Sequence, residues 1–123
     1  MIIRSLDDVK TVEWGNGLSR RFLTASDGMG YSLTDTIVRA GTSSNLQYER
    51  HLEACYCISG SGYVVSTDGT KYEITPGTMY ALDKHDAHEL AATDEDMRLI
   101  CVFTPALSGD ERHKLDSDGF SRY

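Results

Sequence analysis

The sequence predicts an all-β fold, a small barrel or double-sheet jelly roll formed as a single domain over residues 1–123. Two observations carry this. Short runs of β-branched and aromatic residues recur at near-regular spacing with Gly, Asp and Pro between them, and nowhere does a helical period persist. A chain of 123 residues suits one core and is too short for two.

The elements follow in order. Met1 to Lys10 begins with a short apolar strand candidate and continues into Leu6-Asp-Asp-Val-Lys10, which reads as a helical turn. Trp14 to Gly17 is turn-rich, and Leu18 to Thr24 alternates as a strand. After a turn at Ser26 to Gly30, Tyr31 to Arg39 is a β-branched strand with Thr34 and Thr36 on one face. Ala40 to Asn45 breaks it, and Leu46 to Ser59 reads as one long strand. In that run His51, Glu53, Cys55 and Cys57 share one face, while Leu52, Ala54, Tyr56 and Ile58 share the other. Gly60-Ser-Gly62 turns into Tyr63 to Thr67, Asp68-Gly69 signals a hairpin, and Lys71 to Ile74 returns. Pro76-Gly77 turns into Thr78 to Leu82, and Asp83 to Asp86 is a polar bend before His88. Glu89 to Ala92, an acidic turn at Thr93 to Asp96, and Met97 to Thr104 complete the strands. Pro105 to Gly109 ends them, and from about residue 110 the chain reads as a polar, flexible tail.

A net charge of −7 and a pI near 4.9 argue against nucleic acid or an anionic membrane as partner, because phosphate contacts need clustered Lys and Arg. A small neutral or zwitterionic ligand fits. Three cysteines, an odd number, all lie in apolar runs, so a disulfide framework is not expected. The first residues lack a basic stretch followed by a long apolar block, and no apolar run reaches the roughly 20 residues that span a bilayer. The expected compartment is the cytoplasm, where thiols stay reduced.

Glu53 followed, after six intervening residues, by Gly60 looks like the end of the first cupin motif, and Pro76-Gly77 with a later His88 looks like the second. Cupins are small β-barrels that usually hold a metal. Many carry two histidines before the glutamate, where this chain has Leu46 and Tyr48. What remains is Glu53, His88 and Tyr80, a mixed oxygen and nitrogen set suited to Fe(II), Mn or Zn. The alternative is a satisfied buried carboxylate, a loop histidine and a core aromatic. His51 is a base, a substrate-orienting group or a structural histidine. His85 reads as solvated, Cys101 and Phe103 as core, and Glu111-Arg-His113 as a solvated charge run. Arg21 and Trp14 would hold a carboxylate, or else Arg21 is surface beside Arg20.

The chain as a whole resembles the ectoine synthase family of cupins. The likeness runs from Met1-Ile-Ile-Arg through Asp27-Gly-Met-Gly-Tyr-Ser32, Arg39-Ala-Gly-Thr42 and His51-Leu-Glu-Ala54 to Gly77-Thr-Met-Tyr-Ala-Leu-Asp-Lys-His-Asp-Ala-His88, and ends in Cys101-Val-Phe103 and Gly109-Asp-Glu-Arg-His113. The resemblance implies a cupin-type jelly roll, iron held by Glu53, Tyr80 and His88, and a head-to-tail homodimer. It implies a substrate cavity lined by Thr36, Tyr48, His51, Leu82, Cys101, Phe103, Glu111 and His113, with Arg21 and Trp14 as further substrate contacts. It also implies a reaction that cyclises N-γ-acetyl-2,4-diaminobutyrate with loss of water, in which Tyr48, His51, Glu111 and His113 are candidates for acid-base work. The pattern departs at Thr104-Pro-Ala106, where Asn-Pro-Pro is usual, and at Arg112, where an aliphatic residue is usual. Trp14 also stands farther from Arg21 than the family tryptophan, with Gly17 nearer that place. A related acylated amino acid as substrate, an oxygen-activating iron cupin, and a non-catalytic binding cupin are the competing readings.

Overall fold

In the computed structural model, which describes residues 1–113 and 119–123, the chain folds as a nearly all-β domain of two sheets. The first sheet runs β1 (Lys10–Glu13), β2 (Gly17–Leu23), β3 (Ser32–Val38), β10 (Met97–Thr104), β5 (Leu52–Ser59), β8 (Met79–Leu82). The second runs β11 (Phe120–Arg122), β4 (Ser43–Gln47), β9 (His88–Ala92), β6 (Gly62–Val65), β7 (Lys71–Ile74). Single 3-10 turns sit at Leu6–Asp8 and Ala25–Asp27.

The inner faces follow from period-two alternation. On β10, Met97, Leu99, Cys101 and Phe103 are buried while Val102 and Thr104 are exposed; on β5, Glu53, Cys55 and Cys57 are buried while Leu52, Tyr56 and Ile58 are exposed. Antiparallel pairing sets Cys101 opposite Cys55 and Phe103 opposite Glu53, so donors from one strand face aromatic and thiol groups from the next. Val38, Leu46, Ile74, Met97, Leu99 and Leu107 complete the core, each contributing about 1.5–3 kcal/mol on burial. β5 stops at Gly60, which has φ +77° and lies so close to the Asp96 carbonyl that a Cβ would sit 2.0 Å from its oxygen. On the outer face Asp35 accepts from Arg20 Nη2 at 2.6 Å and from Arg98 Nη2 at 2.5 Å, pinning β2, β3 and β10 together. Burial alone would raise its carboxyl pKa, but the two guanidinium partners win and hold it below the usual range.

Four features differ from the sequence reading. Met1 to Ile3 is exposed and forms no strand, whereas the polar stretch Lys10–Glu13 does, with Val12 as its buried anchor. The long run Leu46 to Ser59 divides: β4 lies in the second sheet, β5 in the first, and residues 48–51 cross between them. His85 is exposed, yet its Nδ1–H is shared between the carbonyls of Tyr48 (2.9 Å) and His51 (3.0 Å), which fixes this crossing. The tail does not simply fray, since Phe120–Arg122 pairs in parallel with β4; the acidic stretch Asp116 to Asp118 lies outside the described residues.

Candidate active site

Between the two sheets lies a small cavity of about 20 Å³, enough for a water or an ion. Its wall brings together Trp14, Thr36, Tyr48, Cys101, Phe103 and His113 of the expected substrate set, and Glu53 and Tyr80 of the expected metal set. His51, Leu82, Arg21, Glu111 and His88 do not form its wall. His88 stands just behind it, its ring 6.2 Å from that of Tyr48 and 6.4 Å from that of Tyr80. Ser19, Thr34, Cys55 and Tyr123 line the cavity without having been singled out for it. Thr34 and Cys55 were legible from their inward-facing parity. Tyr123 was not, because only the β11–β4 pairing brings it inside.

Glu53, at the start of β5, is 7% exposed. Burial pushes its carboxyl up to about 7, and hydrogen bonds from the thiols of Cys55 and Cys101 offset this only in part. Tyr80, opposite Cys55 on β8, is likewise held above its ordinary pKa, by burial first and then by the neighbouring acidic groups. His88 opens β9. Its Nδ1–H donates to the Asp86 carbonyl at 3.0 Å, so Nε2 carries a lone pair, and that atom is buried with no hydrogen-bond partner. A neutral imidazole oriented by a backbone carbonyl, with its other nitrogen unpaired and buried, is the arrangement of a metal-ligating histidine. Among the described residues, Glu53, Cys55 and Cys101 also place three donor atoms within 4.8 Å of one another. The residues present therefore fit a divalent metal.

Much of the rest of the wall is aromatic. Trp14 meets His113 edge-on with ring centroids 4.6 Å apart, and Tyr48 lies 5.2 Å from Phe103 and 4.9 Å from Tyr123. Although Trp14 is far from Arg21 in sequence, its indole reaches over Gly17, where a Cβ would lie 2.9 Å from Trp14 Cζ2 and 1.9 Å from the Ile37 oxygen. Gly17 has no room for a side chain, and Trp14 supplies the ring there. His113 Nδ1 pairs with Ser121 Oγ at 2.9 Å, and Nε2 faces the hydroxyls of Tyr48 and Tyr123, each 3.3 Å away. Burial and the charge of nearby Arg21 lower the His113 pKa to about 3, so its ring is neutral. Tyr48 and Tyr123 are raised by burial and keep their protons.

Glu111 is committed elsewhere. Its carboxylate accepts from Ser108 N–H and hydroxyl, both 2.9 Å, and from Gly109 N–H at 3.0 Å, with Arg21 Nη1 3.6 Å away. Burial would raise its pKa, but these backbone donors lower it below the ordinary value, which makes it a weak base. Arg21 donates from Nε to Ser19 Oγ at 3.1 Å and from Nη2 to the Glu111 carbonyl, leaving Nη1 buried without a hydrogen bond. His51 donates through Nδ1 to the Pro105 carbonyl at 2.7 Å and rests edge-on against Phe103.

Two sheets in this order, with a carboxyl, a phenol and thiols turned into the interior, define a single-domain cupin. Comparison with known proteins narrows this. The sequence model described as Ectoine synthase matches residues 1–121. L-ectoine synthase of Desulfatibacillum aliphaticivorans is 50% identical over 126 residues, covering 97% of this chain and 95% of that protein. The crystal structure of ectoine synthase from P. lautus superposes with a TM-score of 0.85 at 44% identity, covering 89% of this chain and 81% of that one. The polyketide cyclase RemF from Streptomyces resistomycificus shares the fold at TM-score 0.72 and 21% identity, over 85% and 79% of the two chains. The chain belongs to the ectoine synthase family, and it is a lyase of the hydro-lyase type. No helix among the described residues is long and apolar enough to cross a membrane.

Proposed function

We propose that this protein closes N-γ-acetyl-L-2,4-diaminobutyrate into the cyclic amidine ectoine with release of one water, as a cytoplasmic homodimer that makes an osmoprotective solute. Fe(II), or Zn or Mn in its place, is held by Glu53, Tyr80 and His88. The observation that carries this reading is the buried, unpaired Nε2 of His88, oriented by the Asp86 carbonyl. When bound, such an ion supplies Lewis-acid polarisation of the amide carbonyl, which is otherwise a poor electrophile.

The chain's own groups do the rest. The substrate's α-nitrogen attacks its acetyl carbonyl carbon, a carbon–nitrogen bond forms, and the carbonyl oxygen leaves as water with protons from the amine. The aromatic wall of Trp14, Tyr48 and Phe103 folds the acyclic chain so that nitrogen and carbon meet, and excludes bulk water. Neutral His113, too weak a base at a pKa of about 3 to keep a proton, faces the two phenols through Nε2 and orients them, and the proton of the attacking amine passes by way of the Tyr48 hydroxyl. Tyr48, protonated and 3.3 Å from His113 Nε2, passes a proton to the departing oxygen. Arg21, with Nη1 lacking a hydrogen bond, is the cation beside His113 for the substrate carboxylate. Because the cavity holds only about 20 Å³, His113 and Tyr123 must shift to admit substrate. The test is turnover of purified, Fe(II)-loaded protein under nitrogen, followed by proton NMR. Ectoine formation without oxygen supports the reading, and unchanged substrate at full metal loading overturns it.

A further inference from the structure

The inner faces of β5 and β10 carry a second, softer donor set. Glu53 and Cys55 are two residues apart on one face of β5, and Cys101 lies directly across from Cys55 on β10. Their donor atoms are within 4.8 Å of one another, all three residues are buried, and all three line the same cavity. Cys57, the remaining cysteine on that face of β5, is excluded: its thiol donates to the Ser59 carbonyl at 3.4 Å, and it does not line the cavity.

We infer that Glu53, Cys55 and Cys101 form a binding site for a thiophilic divalent cation of the zinc, cadmium or cobalt class. A tetrahedral ion with metal–sulfur bonds of about 2.3 Å holds its donors roughly 3.8 Å apart, so closing this set takes about 1 Å of side-chain rotation. Two thiolates with a carboxylate select soft and borderline ions over Mg, Ca and Mn. On binding, the cation replaces the two S–H protons, which pass to solvent. The fourth position falls to the Tyr80 phenol, which hydrogen-bonds Cys55, or to a water or substrate atom. The set shares Glu53, and Tyr80 where the phenol takes the fourth position, with the Glu53, Tyr80 and His88 ligands, so an ion on the sulfurs and an ion on His88 exclude each other. The inference is independent of which reaction the cavity performs.

Cobalt(II) titrated anaerobically into chelator-treated full-length protein tests it, because a thiolate ligand gives a near-ultraviolet sulfur-to-cobalt charge-transfer band that oxygen and nitrogen donors do not. The expected result is this band at one equivalent, retained in Cys57→Ser and in His88→Ala. In Cys55→Ser or Cys101→Ser, each checked by circular dichroism, the band is lost and cadmium affinity falls at least about tenfold. Cobalt bound without the band puts the ion on oxygen and nitrogen and overturns the inference while leaving the His88 set intact. A band that survives both cysteine variants, or that vanishes in His88→Ala, also overturns it. Absence of any cobalt uptake overturns both assignments.

Discussion

Replacing Glu53 with Gln in metal-free protein isolates the electrostatic cost of the buried carboxyl. Folding moves this group from its ordinary 4.5 to about 7, a difference of about 3 kcal/mol. The folded state holds the proton to higher pH than the unfolded state. The stabilisation is therefore complete below pH 4.5 and is lost as pH rises through about 7. Chelator-treated wild type should lose about 3 kcal/mol relative to Glu53→Gln between pH 4.5 and pH 8, a shift of about 10 °C in relative Tm for a chain of 123 residues. Gln keeps the shape and the thiol contacts but has no charge to desolvate. Thermal melts of both proteins across this range, with and without one equivalent of Fe(II), supply the assay. Metal should abolish the wild-type loss, since the cation pairs with the carboxylate. A constant difference between the two proteins from pH 4.5 to 8 would refute the reasoning and place an unseen counter-charge beside Glu53.

His88→Ala should remove bound iron, read by metal analysis of folded protein, because it deletes the unpaired Nε2. His113 behaves opposite to Glu53: its pKa falls to about 3, so stability is lost as pH drops from 6.5 toward 3, and His113→Asn should flatten that acid limb by a few kcal/mol in denaturant titrations. A chain ending after Gly109 should still fold and hold metal but lose most turnover, since it lacks His113 and Tyr123, which face the Tyr48 hydroxyl; undiminished turnover would show that Tyr48 acts without them. Asp35→Ala should cost about 2 kcal/mol of stability by chemical denaturation, less than a fully buried pair because Arg98 is partly exposed.

The inner face of β5 was legible because its alternation is strict, and a one-residue slip would have put Glu53 in water. Tyr48, Cys101, Phe103 and Thr36, from different parts of the chain, line one cavity, and so does Trp14, whose indole lies over the bare backbone at Gly17. What could not be read depends on contacts distant in sequence. Nothing in Leu46 to Ser59 marks the crossing between sheets, which is fixed by His85 from more than 30 residues away. The strand Phe120–Arg122 is too short and polar to show a period and forms only against β4. Glu111 has the residue type of a general base, but the Ser108–Gly109 backbone takes up its carboxylate.

The central claim is that the amide oxygen leaves as water while the acetyl carbon stays in the product. Substrate labelled with oxygen-18 at the acetyl carbonyl, turned over in unlabelled water and followed by mass spectrometry, tests this most directly. The account predicts unlabelled ectoine that retains both acetyl carbons, with the label recovered in water. Labelled acetate released with free diaminobutyrate would show hydrolysis of the amide and contradict it.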